Sequence, residues 1–218
     1  MQKLSYTFAL FLAASIIFSS CRNNDDDIPP GSATTDPGVL IGSIDGNPIR
    51  WATRNVAAPG RFAQNATDAG MLFQWNRRTG WSATDPMVSS PAGATWDSTI
   101  TGETWVRTND PCPSGWRVPT VEELRELHNA RGEWQMRSGV YGRVFGSGDN
   151  TLFLPAAGWR NTNGVLTHVG FLGWYWSSST GGDASNGRFL YFAPVDDLGG
   201  VLATNSRSRA FSVRCVSE

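Results

Sequence analysis

From Val39 to the C-terminus the apolar stretches are short, and Gly, Asn, Asp or Pro interrupts each of them. Segments 39–44, 71–75, 151–154, 173–177, 188–192 and 210–216 are rich in aliphatic and aromatic side chains and have the length of strands, with turn residues between them. One segment reads differently. Pro119-Thr120-Val121-Glu122-Glu123 offers Thr120 as N-cap and Glu123 three residues on, the pattern of a capping box. Val121, Leu124 and Leu127 then fall on one helical face, and Gly132 is placed to stop the helix. A shorter helix is expected over 61–69. No repeat of fixed period is visible. The class is α+β, with much irregular loop.

The composition narrows the chemistry. Ten Trp and 24 Gly are unusual for 218 residues, and Lys3 is the only lysine beside 17 arginines. Without Lys3 the chain has no side-chain amine, which excludes lysine-based Schiff-base or general-base catalysis. Arginine stays charged, forks two hydrogen bonds at once and stacks on aromatic rings, so an Arg/Trp-rich chain suits a rigid surface domain. A formal net charge of −1 gives no reason to expect nucleic acid as a partner.

Residues 1–20 read as a leader. Lys3 supplies the positive start, and Phe8 to Phe18 (FALFLAASIIF) is an apolar run too short to span a bilayer, which takes roughly 20 residues. Phe18-Ser19-Ser20-Cys21 then resembles a bacterial lipobox, in which the cysteine is acylated and the chain is cut before it. The bland alternative is an ordinary signal peptide that leaves a spare thiol. Acylation of Cys21 leaves Cys112 and Cys215 as an even pair. Each buried CH₂ of an acyl chain contributes ~0.8 kcal/mol, so several chains together hold a protein at the membrane. Asp25-Asp26-Asp27 just after Cys21 resembles the export signal that sends Bacteroidota lipoproteins to the outer face of the outer membrane; a merely solvated linker is the alternative. Residues 21–38 end in IPPGSATTDPG, too poor in apolar side chains to fold, and are expected as a flexible tether before a domain at 39–218. In an exported chain Cys112 and Cys215 are expected to be oxidised to each other; a metal would need further cysteines or a nearby His, and none completes a site.

Several strings line up in order: WATRNV (51–56), AGMLFQW (69–75), DPCPSGWRVPT (110–120) with Glu122-Glu123-Leu124, FLPAAGWR (153–160), GWYWSSS (173–179) and SVRCV (212–216). Together they resemble the FISUMP family, the Fibrobacter succinogenes major paralogous domain, over about residues 42–217. That family is carried by exported and lipid-anchored proteins, mostly with no assigned activity. The resemblance implies a C-type-lectin-like fold, with Cys112 before the capped helix and Cys215 in the last strand matching that fold's long disulfide. The Gly-Trp-Arg-Val-Pro-Thr string also resembles the formylglycine-generating branch, whose chemistry needs an active-site cysteine pair that is not spare here.

No catalytic constellation emerges. His128 belongs on the helix and His168 in a Gly/Asn-rich loop; Ser177-Ser178-Ser179 lacks a Gly-x-Ser-x-Gly elbow; Glu122 and Glu123 suit a helix first turn. The Glu-Pro-Asn or Gln-Pro-Asp and Trp-Asn-Asp triplets of calcium-dependent lectins are missing. No cofactor is implied, though Asp149-Asn150 and Asp196-Asp197 leave calcium open. What remains is binding. The lectin-like fold implies a ligand region in the long loops, here 160–173, 181–187 and 194–205, with Asn161, Asn163, Trp174, Asp183, Asn186, Asp196, Asp197 and Asn205 as its candidate residues. Trp116, Trp159 and Trp176 are expected in the core, and Trp81, Trp96, Trp105 and Trp134 nearer the surface. The expectation is a non-catalytic, adhesin-like surface lipoprotein that recognises a glycan or a protein, the alternative being a structural subunit of a pilus tip or polysaccharide-handling complex.

Overall fold

The computed structural model describes residues 34–100, 102, 104–195 and 201–218. Cys21, the acidic run after it, and Asp196 and Asp197 lie outside those residues. β1 (Val39–Ile44) returns through Asp45-Gly46, both at positive φ, into β2 (Asn47–Trp51). Asp-Gly is the pair that a tight hairpin favours. β3 (Val56–Ala58) and β4 (Arg61–Phe62) form a small hairpin, followed by β5 (Met71–Gln74), β6 (Gly80–Ser82) and β7 (Ser89–Ser90). No helix forms over 61–69. Phe62 is buried and pairs with Val56, while Asp68 turns the chain by accepting from the amide of Asn65. Asn and Asp compete with the helix for backbone hydrogen bonds, and burial of Phe62 decides the outcome.

A single 3₁₀ turn (Arg107–Asn109) and β8 (Trp116–Arg117) lead to α1 (Val121–Asn129). Its capping box is complete: Thr120 Oγ1 accepts from the amide of Glu123, and the Glu123 carboxylate accepts from that of Thr120. The stop differs from expectation. Arg131, at φ 53°, makes the left-handed turn, and Gly132 already opens the next strand. Then come β9 (Gly132–Arg137), β10 (Val140–Ser147), β11 (Asn150–Pro155), β12 (Trp159–Arg160) and β13 (Leu166–Thr167). The chain closes with β14 (Gly173–Thr180), β15 (Asn186–Phe192), β16 (Val201–Ser206), β17 (Ala210–Ser212) and β18 (Val216–Ser217).

Most pairings are antiparallel, so with its one α-helix the described chain is α+β. The largest sheet runs β16-β15-β14-β17-β5-β6-β7, with β12 and β13 attached beside β17. Alternation along its strands builds a core on each face, with a smaller cluster of Leu72, Trp81, Ala83, Ala157 and Ala210 beside them. Trp176, Phe189 and Phe211 point to one face, against Phe73, Trp75 and the disulfide. Tyr175, Leu190 and Phe192 point to the other, where Leu124 and Leu127 of α1 meet Trp51, Phe145 and Leu154. The expected strand at 210–216 is split. Val213 O and Cys215 O accept from Val56 and Ala52 as the chain crosses to the small sheet β1-β2-β18-β8. Cys112 and Cys215 are joined, 103 residues apart in sequence. Closing such a loop stabilises by ~4–5 kcal/mol in the chain-entropy picture.

Three of the 17 arginines are fully buried. Arg214 donates to Ala52 O, Phe153 O and Asn55 Oδ1; Arg160 to Ser82 O, Thr84 O, Gly164 O and Asp85; Arg207 to Asp183 O, Ala184 O, Asn186 O and Gly102 O. Each ties irregular loops together with a planar fork of donors, which an ammonium lacks. Burial pushes the Arg214 guanidinium down to about 10.

The domain also takes in residues expected in the tether. The buried carboxylate of partly buried Asp36 accepts from the amides of Gly38 and Thr53, from Thr53 Oγ1 and from Arg54 Nε. Residues 34–38 are therefore attached to the folded body. Among the described residues no helix is long and apolar enough to cross a membrane.

Candidate functional site

The β14–β15 hairpin has two unlike ends. Gly173 faces Phe192 at one and Thr180 faces Gly187 at the other, seven steps along β14, or about 23 Å at the usual rise per residue.

The Gly187 end is polar, with a shallow cavity of about 270 Å³ lined by Thr180, Gly182, Asp183 and Ala184. Asp183 Oδ1 accepts from the amides of Ser185 and Asn186 and from Ser185 Oγ, and Oδ2 accepts from Asn186 Nδ2. These donors, Asn186 first, hold the Asp183 carboxyl well below the usual carboxylate range. Arg207 clamps the loop from behind, its guanidinium 4.0 Å from the centre of the Trp75 ring. Trp75 itself lies against Gly187, where a Cβ would collide with the indole. Asn205 pairs with Gly187, and its Oδ1 accepts from the amide of Ser206. Asp183, Asn186 and Asn205 thus converge, and their polar groups build the turn.

The Gly173 end is aromatic and open. Gly158, at φ 67° with no room for a Cβ beside Thr167, brings β12 against the start of β14. Trp159 then stacks on Trp174 (5.0 Å, 26°), Trp174 on Phe189 (4.7 Å, 11°), and the His168 ring lies parallel to Trp159 at 6.4 Å. Arg209 sits 4.4 Å from the centre of Trp159, and Tyr191 flanks Trp174. Both faces of Trp174 are covered by other rings. A ligand at this end meets ring edges and the side chains around them.

Those surroundings are apolar. Val169 and Phe171 are each more than half exposed, and Val195 is 85% exposed. On the other side of β15, Phe192 meets Trp134 edge-on, Trp134 stacks on Tyr141, and Met136 pairs with Tyr141 across β9 and β10. Met136 and Tyr141 are exposed too. The hairpin tip joins the loop through Tyr141 O, which accepts from Ala156, and Ala156 O, which accepts from Gly170.

The remaining candidates lie apart. Asn161 Oδ1 accepts from the amides of Asn163 and Val165, so it shapes the β12–β13 turn, against which Trp96 donates to Thr162 O. Asn163 is exposed at that turn. Trp176 and Trp116 are core residues and Trp159 is half-buried; Trp81, expected near the surface, is only 2% exposed, because it packs with Leu72, Ala157 and Ala210. The three serines are all engaged: Ser177 Oγ donates to Arg188 O, Ser178 Oγ to Pro119 O, and Ser179 Oγ accepts from Val121. His168 Nδ1 is 2.7 Å from Thr167 Oγ1. Among the described residues no three His, Cys, Asp or Glu cluster as metal ligands would.

A second surface flanks the start of α1. Arg117 holds Glu123 through two bonds of 2.8 and 2.6 Å. Cavities of about 510 and 240 Å³ lie beside this pair and share Arg117 and Thr120 as lining. Asp110 accepts from the amides of Cys112 and Val118, and burial pushes its carboxyl above the ordinary aspartate value. Met136, Tyr141, Val169, Phe171 and Val195 were not candidates from sequence; the flanking glycines of Gly170-Phe171-Leu172-Gly173 were the one available sign of an exposed aromatic. The chain matches no family profile, no curated protein and no solved structure.

Proposed function

We propose that this chain is a non-catalytic, exported lipoprotein, acylated at Cys21 and held on the outer face of the outer membrane, whose aromatic end docks another protein. The FISUMP resemblance rests on the ordered strings, and the lectin-like reading gains support from two features. β18 pairs with β2, so both terminal strands share one sheet, and the Cys112–Cys215 bridge joins the approach to α1 with the approach to β18.

What supports the binding reading is the exposure of Phe171, Val169 and Val195 in the segments that flank the start of β14 and the end of β15, and of Tyr141 and Met136 on the neighbouring β9–β10 hairpin, while Trp174 already stacks on two other rings. Stacking on a sugar needs a free ring face. Exposed Met, Phe and Val suit the apolar centre of a protein interface. Photo-crosslinkers placed at Phe171 and at Asp183 in the anchored protein on intact cells test this. Crosslinks to a protein are expected from 171 and not from 183; equal yields from both, or none from 171, overturn it. Cys21→Ala tests the anchor: release of the protein, or its accumulation with the leader uncut, is expected, and unchanged processing and retention count against lipidation. A partner that co-purifies at fixed stoichiometry would shift the reading to a structural subunit.

A further inference from the structure

We infer that the free edge of β9 is a self-association surface, on which a second copy of this chain lays its own β9 antiparallel across a two-fold axis at Gln135. β9 is six residues long, pairs only with β10 and keeps its register without a bulge. An unpaired edge of that length offers its backbone groups to another strand. The longer edges elsewhere serve less well. β11 ends in Pro155, which has no N–H; β1 is irregular between Leu40 and Ser43; β16 carries no charged side chain to fix a register.

The turn decides which groups face outward. Ser138 and Gly139, both at positive φ, close the β9–β10 hairpin between Arg137 and Val140. That closing pair exchanges hydrogen bonds. Alternation then points the N–H and C=O of Glu133, Gln135 and Arg137 at β10, and those of Trp134 and Met136 away from it. Neither outward residue has another backbone partner among the described residues. With Gln135 opposite Gln135, Trp134 of one copy faces Met136 of the other, and each such pair can exchange both of its backbone bonds.

The side chains fit the same register. Glu133 and Arg137 stand at equal distance on either side of Gln135, on one face of the strand, and carry opposite charges. In the two-fold pairing each Glu133 meets Arg137 of the other copy at a non-hydrogen-bonded position, where side chains come closest. Within one chain neither has an ion pair among the described residues. Glu133 accepts only from Gln135 Nε2, at 3.5 Å, and Arg137 lies over the ring of Phe153. An edge with one sign of charge repels its own copy; this edge matches it. Arg131, the next charge along, falls opposite the Ser138-Gly139 turn, beyond the paired strands. On the other face exposed Met136 comes against Trp134, which is stacked on Tyr141, and a thioether beside an indole is a favourable contact. The contact takes up Met136 and leaves Phe171 and Val169 to the docking proposed above, on which it does not rest.

A contact of one short strand from each copy is smaller than a permanent interface, so the test traps a reversible pair by oxidation. It uses the full-length protein on intact cells, read on non-reducing gels. Cα atoms of a non-hydrogen-bonded antiparallel pair lie about 4.5 Å apart, within the reach of a disulfide. Gln135→Cys is therefore expected to give a covalent dimer beyond any formed by the parent protein. Glu133→Cys and Arg137→Cys are expected to give one only when the two variants are expressed together. In the Gln135→Cys background, Glu133→Arg or Arg137→Glu is expected to lower the dimer yield about fivefold, equivalent to ~1 kcal/mol. The two reversals combined should restore it, which shows that neither acts by unfolding, and Phe171→Ser should leave it unchanged. No dimer from Gln135→Cys, a dimer from Glu133→Cys or Arg137→Cys alone, or a yield indifferent to the charge reversals overturns the inference. Crosslinking from position 171 that persists in that event keeps the docking proposal standing.

Discussion

At one end of β14–β15 the polar residues most suggestive of ligand binding spend their hydrogen bonds on one another; at the other, residues with no obvious polar chemistry stand exposed. Asp183, Asn186 and Asn205 form a turn clamped by Arg207, whereas Phe171, Val169 and Val195 are more than half exposed in the segments that flank the start of β14 and the end of β15. A side chain that has found its partners inside the fold has little left to offer a ligand. Polarity in a loop is therefore a poor marker of a site, and unsatisfied surface is a better one.

The sharpest way to break this comparison is to remove the clamp. Arg207→Met leaves four loop carbonyls without their shared donor and is expected to destabilise by about 3 kcal/mol in denaturant melts, while crosslinking from position 171 persists. If binding were lost together with the folded Gly187 end, the two ends would not be separable. Trp174→Ala opens the ring stack, and partial burial puts its cost at about 2–3 kcal/mol; here stability and partner binding should fall together. Thr120→Ala removes the cap of α1, at about 1 kcal/mol, and should touch neither end, which makes it a control for general loosening. Phe171→Ser should change stability by less than about 0.5 kcal/mol and yet abolish crosslinking to the partner.

The smallest effect is a pH dependence at Asp110. Burial raises its carboxyl above the ordinary aspartate value, against the amides of Val118 and Cys112 and the charge of Arg107. The folded chain therefore keeps this proton in a window where the unfolded chain has lost it. The contribution of Asp110 to stability is greatest below that window and declines as pH rises through it. Carboxyl NMR titration should place the Asp110 midpoint above that of exposed Asp183, which its donors hold low; the reverse order would sink the account.

Local chemistry was legible wherever neighbours in sequence decide the outcome. The capping box at Thr120–Glu123, β1 residue for residue, the α+β class and the Cys112–Cys215 bridge all follow from short-range pattern and cysteine count. Where distant residues decide, the reading failed or fell short. Phe62 joins a buried hairpin in place of a helix, Arg131 and not Gly132 ends α1, and Trp81 lies in the core because Leu72 and Ala210 come to meet it. Asp36, placed in the tether by composition, is claimed by Thr53 and Arg54 from β2 onward.

The sequence by itself determined which segments could be strands, where the helix begins, which cysteines pair and that no lysine chemistry is available to the folded domain. Only the tertiary structure decided which polar side chains are already satisfied and which apolar ones stay bare. Hydrogen-bond satisfaction and burial are properties of neighbours in space, and hairpins, crossovers and buried arginines bring those neighbours together from opposite ends of the domain, as when Val216 pairs with Trp51.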